Sequence, residues 1–162
     1  MELRTAGLQD VPALARLRWQ LYDEGHPVLG ESFQDYVARF VAFAEEALRS
    51  ESWYVLVAQD GERVVGAMWV HRVPRVPQPG RGPAAPLAYL TNVYVDPEHR
   101  DGGLGSRMLE AVADRSRDEG FSLIFAWPSD RSVSFYRRAG FTRPDDPLVL
   151  DLGLDWHERA RG

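Results

Sequence analysis

A glycine-rich segment in the second half of the chain has residue types that could hold a phosphate group. Residues 100–105 read RDGGLG, follow an apolar strand-like run at 90–95 and lead into a helical pattern. A glycine turn at this place leaves backbone N–H groups without partners at the positive end of a helix dipole. The guanidinium of Arg100 adds a fixed charge that can bind phosphate through two hydrogen bonds. The segment therefore predicts a site for a phosphorylated cofactor.

The composition narrows the class of protein around this site. A chain of 162 residues, 44% hydrophobic and 27% charged, fits a single soluble domain spanning residues 1–162. The net charge of −5 argues against general nucleic-acid binding. The lack of cysteine excludes disulfides, thiolate metal sites and a cysteine nucleophile. There is no signal-peptide pattern and no apolar run near the roughly 20 residues of a membrane span, so we expect a cytoplasmic protein without membrane association.

The periodicity of apolar residues predicts the elements that position the glycine segment. Helix starts are marked by N-cap residues and helix ends by glycines, with Pro12 in the first turn of the first helix. We expect helices after the caps Asp10 and Ser32, a third from Leu104 to Gly120, and a short one that starts at 128–130 and stops at Gly140. We expect strands at 2–6, 53–58, 64–70, 88–95, 121–127, 141–142 and 148–152, with the strand at 121–127 buried.

The connections between these elements predict the topology. The Asp60-Gly61 turn joins two strands as an antiparallel hairpin, and the crossover from 90 to 126 implies a parallel pair. The Pro/Gly-rich stretch 74–86 is interpreted as a long loop between neighbouring strands that is either mobile or faces substrate. The expected fold is α/β (α+β), with a mixed, mostly antiparallel twisted sheet and helices on both faces.

Three types of phosphate-binding loop can be compared with the glycine segment. A Walker loop needs a lysine after its last glycine, but Gly105 is followed by Ser106 and Arg107. The dinucleotide fingerprint needs a G-x-G-x-x-G spacing, which is absent. The acyl-CoA loop, R/Q-x-x-G-x-G/A after a strand, fits at every fixed position.

Two segments together resemble a known family. Residues 93–106 (VYVDPEHRDGGLGS) resemble the cofactor motif of the GNAT superfamily of acyl-CoA-dependent N-acyltransferases. Residues 129–141 (SDRSVSFYRRAGF) resemble the signature of the family's fourth helix, N-x-x-A-x-x-[LF]-Y-x-x-x-G-F. Ser129 stands where asparagine is usual, and Ser132 where alanine is usual. The predicted order of elements agrees with that family's fold from end to end.

The resemblance implies acetyl-CoA as the donor substrate and no metal. The pantetheine arm would lie where the strands at 88–95 and 121–127 splay apart, paired with backbone groups of Val93 and Val95. The pyrophosphate would lie on the N–H groups of Gly103, Gly105 and their neighbours. The implied cofactor-binding residues are Val93, Tyr94, Val95, Arg100, Asp101, Gly102, Gly103, Leu104, Gly105, Ser106, Ser129 and Tyr136.

The resemblance also implies direct attack of a primary amine on the thioester in a ternary complex. Tyr136 matches the position of the general acid that protonates the departing CoA thiolate. Some relatives use an acidic base on the central strand, but residues 88–95 contain no carboxylate. The base therefore stays open. The candidates are Asp23, Glu24, Glu31, His71 and a chain of water molecules.

The acceptor site is expected at the first helix–loop–helix segment and the 74–86 loop. Its candidate residues are Tyr22, Asp23, Glu24 and Asn92, and the acidic groups would suit a cationic amine. The tryptophans Trp19, Trp53 and Trp69 are expected to pack in the core rather than to line the pocket. His26 and His99 have no metal-like spacing, which agrees with the expectation of no metal.

Two other functions remain as alternatives to an N-acetyltransferase. A non-catalytic acyl-CoA-binding or sensing module would have the same cofactor loop without turnover. A nucleotide-binding protein of another class is the weaker reading, since the Walker lysine is missing. The expected partner is a small-molecule or peptide amine, and dimers are common among the proteins that the sequence resembles, which leaves a homodimer open.

Overall fold

The computed structural model describes residues 1–24 and 27–142, and its centre is one five-stranded sheet. The first four strands pair antiparallel in chain order, and the fifth lies parallel to the fourth at the edge. This confirms the mixed, mostly antiparallel sheet. The strands are β1 (Glu2–Thr5), β2 (Trp53–Asp60), β3 (Arg63–Val73), β4 (Leu87–Val95) and β5 (Leu123–Phe125).

Helices α1 (Val11–Asp23) and α2 (Phe33–Arg49) cover one face of this sheet and α3 (Leu104–Asp118) covers the other, as predicted. A fourth helix, α4 (Val133–Arg138), follows later in the chain. Helices α1 and α2 share a core with Val55, Val57 and Trp69 on one face. On the other face α3 packs so closely that a Cβ on Gly66 would lie 3.2 Å from the Met108 sulfur. No helix in the described ranges has the length and apolar character needed to cross a bilayer.

The contacts divide the chain into two compact units. The first, Met1–Ala126, contains the whole sheet with α1, α2 and α3. The second, Trp127–Gly162, contains α4. The glycine segment and Tyr136 therefore belong to different units.

The two predicted helix caps differ in detail. Ser32 caps α2, because its Oγ accepts from the Asp35 N–H at 3.2 Å. Asp10 immediately precedes α1 but makes no cap bond to it. Its carboxylate instead accepts from the Gly7 N–H at 2.8 Å and from both terminal nitrogens of Arg4 at 2.7 and 2.8 Å. The hydrogen bond from Arg4 lowers the pKa of Asp10, and the pair ties β1 to the start of α1.

The late strands are shorter than predicted. The predicted strand at 121–127 is wrong in length and burial, since β5 covers only Leu123–Phe125 and Leu123 is half exposed. Phe121 is used instead to end α3, because its N–H donates to the Ser116 carbonyl at 2.9 Å. The predicted strand at 141–142 is also wrong, because neither residue belongs to a strand. The Phe141 N–H instead donates to the Tyr136 carbonyl at the end of α4. The predicted strand at 148–152 lies outside the described residues.

A β-bulge interrupts β4 in its second half. Trp69 of β3 pairs with Thr91, and Ala67 pairs with Tyr94, so two residues of β4 lie opposite Met68 alone. The extra residue is Asn92, whose φ of +49° is in the left-handed region that asparagine tolerates better than most residues. The bulge gives Thr91 and Tyr94 the same face of the sheet, the one covered by α1 and α2.

Candidate functional site

The turn that precedes α3 presents free backbone donors to solvent. Within the described residues, no oxygen accepts from the N–H groups of residues 101–106. Asp101 and Gly103 have φ values of +63° and +78°, and left-handed residues of this kind can turn successive amides toward one concave side. A Cβ built on Gly102 or Gly103 would meet no heavy atom within 4 Å, so the turn is open to an incoming group. These features suit an anion held by main-chain hydrogen bonds.

One edge of β4 has no neighbour strand beside the bulge. Strand β5 pairs with β4 only from Leu87 to Tyr89. Past Tyr89, no described strand pairs with β4 on that side up to Val95. An unpaired edge can bind an extended chain through its backbone groups. The prediction that the pantetheine arm lies here stays a prediction, and the structure shows only that β5 pairing ends at Tyr89.

The Arg100 side chain joins this edge to the end of α1. Its Nε donates to the Val95 carbonyl at 2.8 Å, and its NH2 donates to both carboxylate oxygens of Glu24 at 2.8 and 2.9 Å. The guanidinium also lies 5.1 Å from the centre of the Tyr94 ring. Arg100, expected to bind phosphate, thus contacts a carboxylate here.

The Tyr94 hydroxyl completes this cluster on the α1 side of the sheet. It donates to Glu24 Oε1 at 2.6 Å. Burial raises the pKa of Tyr94 above its usual value, and the bond to Glu24 adds to the rise, so the phenol stays protonated at neutral pH. Glu24 is thereby held between a residue of the strand and a residue of the glycine segment.

The acidic residues expected at the acceptor site, Asp23 and Glu24, line neither of the two cavities described below. Tyr22 is 46% exposed at the end of α1. The Asp23 carboxylate accepts from the Val28 N–H at 3.3 Å, and Glu24 is held by Arg100. Asn92, also expected at the acceptor site, lines a groove that Tyr22, Asp23 and Glu24 do not line.

This groove has a volume of about 300 Å³ and lies where α1 and α2 cross the sheet. Its walls are mainly aromatic, and the rings support one another. Phe43 stacks on Trp69 at 5.9 Å between ring centroids, and Trp53 meets Trp69 edge-on at 6.1 Å. Trp69 is buried in the core, as expected, and it lines the groove as well. The aromatic lining consists of Tyr36, Phe40, Phe43, Trp53 and Trp69.

The charged residues that line the groove are arginines. Arg18 of α1 points its NH1 at Asn92 Oδ1 across 3.5 Å, beside the bulge. Arg39 of α2 forms a two-pronged bond to Glu31, with NH2–O distances of 2.6 and 2.7 Å. No aspartate or glutamate is among the lining residues that the structure describes. The sequence offered no signal for this role, because an arginine on an amphipathic helix is usually a solvated charge.

The 74–86 loop joins β3 to β4, as predicted. It encloses a recess of about 170 Å³ lined by its own residues, among them Arg75 and Arg81. No residue lines both this recess and the aromatic groove. The loop and the groove are therefore separate candidates for the acceptor site.

The remaining candidate bases, Glu31 and His71, also contact other side chains. Glu31 pairs with Arg39, as described above. The His71 ring centroid lies 4.4 Å from that of Trp53, next to the groove. His99, considered only as a metal ligand, has its Nε2 3.3 Å from an Asp60 oxygen. Within residues 1–24 and 27–142, no group of three histidine or carboxylate side chains could hold a metal ion.

The second unit holds the fourth-helix motif. Tyr136 is buried on α4, with its ring 5.1 Å from Phe135 and 5.2 Å from Phe141 between centroids, so the ring also serves as local core. The two serines that depart from the motif contact each other, with Ser129 and Ser132 hydroxyls 3.1 Å apart. The Ser132 N–H also donates to the Ser129 carbonyl at 2.9 Å and forms the turn that leads into α4.

Known proteins with similar sequences and folds agree with this architecture. The model of the acetyltransferase (GNAT) family matches residues 12–141. A glucosamine 6-phosphate N-acetyltransferase from Trypanosoma brucei brucei is 29% identical over 60% of this chain, and the match spans 64% of that enzyme's length.

Solved structures extend the likeness to nearly the whole chain. A predicted acetyltransferase from Clostridium acetobutylicum, solved with acetyl-CoA, has a TM-score of 0.76 at 21% identity, over 93% of this chain and 96% of its own. An aminoglycoside acetyltransferase from an uncultured soil metagenomic sample, solved with trehalose, has a TM-score of 0.70 at 19% identity, over 94% and 95%. The sheet, the glycine turn and the family match lead to one conclusion: this chain belongs to the acetyltransferase (GNAT) family.

Proposed function

We propose that this protein is an acetyl-CoA-dependent N-acetyltransferase that acetylates a primary amine by direct attack in a ternary complex. The observation that carries the proposal is the row of N–H groups at 101–106 without described acceptors, next to the unpaired edge of β4. Family membership supports acetyl transfer as the reaction. Because the family match crosses both units, we treat residues 1–162 as one functional domain.

The chain would hold the donor mainly through its backbone. The N–H groups of Gly103, Gly105 and their neighbours would bind the pyrophosphate, aided by the dipole of α3. Backbone groups of Val93 and Val95 would pair with the amides of the pantetheine arm. Arg100 uses its Nε on Val95 and one terminal nitrogen on Glu24, so its other terminal nitrogen could bind a phosphate, and a two-pronged phosphate contact would require release of Glu24.

The reaction needs a neutral amine and a protonated leaving group. Primary amines have pKa values near 10, so one proton must leave before the nitrogen lone pair attacks the thioester carbon. When the carbon–sulfur bond breaks, the Tyr136 hydroxyl would give its proton to the CoA thiolate. The residue that takes the amine proton stays open among Asp23, Glu24, Glu31, His71 and water.

Two measurements test this function. Calorimetry with acetyl-CoA should show saturable binding, and a thiol-release assay with a panel of amines should show turnover. Tyr136→Phe should lower kcat by about 100-fold, the lower end for general acid–base catalysis, with acetyl-CoA affinity nearly unchanged. An unchanged kcat in this variant would remove Tyr136 from the acid role.

A non-catalytic acyl-CoA-binding module is the second candidate. It is favoured by one observation: the glutamates proposed as bases, Glu24 and Glu31, each form an ion pair with an arginine. It predicts tight acetyl-CoA binding with no thiol release for any amine in the panel. The same pair of assays therefore decides between the two.

A further inference from the structure

We propose that the aromatic groove between α1, α2 and the sheet binds the acceptor, and that this acceptor is a primary amine that also carries an anionic group. The anionic group, a carboxylate or a phosphate, would be held by Arg18. This inference rests on the proposed acetyl transfer and names the class of its acceptor. It replaces the cationic amine that the acidic residues near the end of α1 had suggested.

The position of the groove supports its use as the acceptor site. Thr91 and Asn92 line it, and both belong to β4 at the bulge. The next residues of the same strand, from Val93 to Val95, form the edge proposed to hold the pantetheine arm. An amine bound in the groove would therefore lie beside the strand along which the thioester is expected. A volume of about 300 Å³ is at the lower end for small-molecule sites.

The polar groups of the groove call for a ligand rich in hydrogen-bond acceptors. Arg18 and Arg39 are its charged lining residues, and both are pure donors. The Tyr36 hydroxyl and the Trp69 indole N–H are buried without a hydrogen-bond partner in the described structure. Burial raises the pKa of Tyr36 to about 12, so its hydroxyl keeps its proton at neutral pH. A carboxylate or phosphate supplies acceptors only, which matches the guanidinium groups of Arg18 and Arg39.

Of the two arginines, Arg18 is better placed to hold the anion near the reaction. Arg39 is 69% exposed, so solvent would screen its charge more strongly. Arg18 reaches the bulge at Asn92. Its positive charge would also lower the pKa of a nearby ammonium group, because a like charge disfavours the protonated form. That effect would raise the fraction of neutral amine beside β4, which has no carboxylate to take the proton.

Matched pairs of amines test the inference directly. Glucosamine 6-phosphate is compared with glucosamine, and phenylalanine with phenylalaninamide, each titrated into the full-length protein saturated with CoA. Binding is measured by calorimetry and by tryptophan fluorescence, since Trp53 and Trp69 line the groove. We expect the anionic member of at least one pair to bind about 10-fold tighter or more. The pair that shows the preference tells phosphate from carboxylate.

Variants of α1 and α2 assign the preference to a residue. In Arg18→Gln the ratio within the pair should fall to less than about 3-fold, and Arg18→Lys should keep part of it. Arg49→Gln is the control, because it removes one positive charge from the end of α2 at a residue paired with Glu45 and outside the groove lining. It should keep the full preference.

The outcomes separate this inference from the proposed function. Equal or tighter binding of the neutral members, no binding of any member, or a preference that survives in Arg18→Gln would overturn the inference. Acetyl-CoA affinity of the wild-type protein is measured in the same series. Its absence would overturn the acetyltransferase proposal instead, whatever the groove binds.

Discussion

The turn before α3 and the groove between α1 and α2 are built in opposite ways. The turn is a run of neighbouring residues, 101–106, and the groups proposed to bind there are backbone N–H groups. The groove takes side chains from α1, α2, β2, β3 and β4, and the groups proposed to bind there are rings and guanidinium groups. The first needs a backbone conformation, and the second needs particular side chains at distant positions. Each therefore responds to a different kind of substitution.

The largest contrast is expected for a charge placed in the turn. Gly102→Glu adds a carboxylate where the structure has open space, so folding should be unaffected. The carboxylate can occupy the free N–H groups and repel a pyrophosphate, at a cost of about 3 kcal/mol. We expect acetyl-CoA affinity, measured by calorimetry, to fall on the order of 100-fold. Gly102→Gln, of the same size without the charge, should lose less than about 5-fold. Equal losses in both would mean that the turn binds by shape rather than through its amides.

A smaller effect is expected from removing a wall of the groove. Phe43 is half exposed and stacks on Trp69, so Phe43→Ala opens the groove at modest cost to the core. The KM for the acceptor should rise about 10-fold, with acetyl-CoA affinity unchanged. The double variant Arg75→Gln and Arg81→Gln alters the recess of the 74–86 loop instead. If that variant raised the KM and Phe43→Ala did not, the acceptor site would lie at the loop.

The smallest expected effect is a dependence of stability on pH that comes from the groove and not from the turn. The groove contains Tyr36, whose pKa is raised by burial to about 12 from the usual value near 10. Its ionisation is easier in the unfolded chain, so its contribution to stability is complete below pH 10 and is lost as the pH rises toward 12. Tyr36→Phe should be at least as stable as the wild type in urea unfolding at pH 8, because it removes a buried hydroxyl that has no described partner. At pH 11 its advantage over the wild type should be larger by about 1 kcal/mol. An equal difference in the free energy of unfolding at both pH values would show that the hydroxyl is solvated in the folded protein.

The sequence was sufficient where a site or an element is local. The glycine turn, the Asp60-Gly61 hairpin and the Ser32 cap each depend on a few neighbouring residues, and the structure contains all three. The parallel pairing of β5 with β4 followed from the handedness and length of the crossover.

The sequence was not sufficient where partners are distant. The role of Asp10 depends on Arg4 in another element, and the short length of β5 depends on how α3 ends. The groove could not be predicted, because helical periodicity gives the buried face of α2 but not which strand residues it meets. Arg18 and Asn92 are 74 residues apart, and only the bulge brings the asparagine to the arginine.

The bulge also decides which face of the sheet each later residue of β4 occupies. In a regular strand Thr91 and Tyr94, three residues apart, would face opposite sides of the sheet; the inserted Asn92 lets them face the same side. If Asn92 instead took part in regular pairing and the bulge were lost, every residue after it would move to the opposite face of the sheet. Tyr94 would then turn away from Glu24, and the contact that joins the end of α1 to Arg100 would lose its third member. The length of the chain would not change, yet the residues of β4 after the groove would no longer lie on their present faces of the sheet.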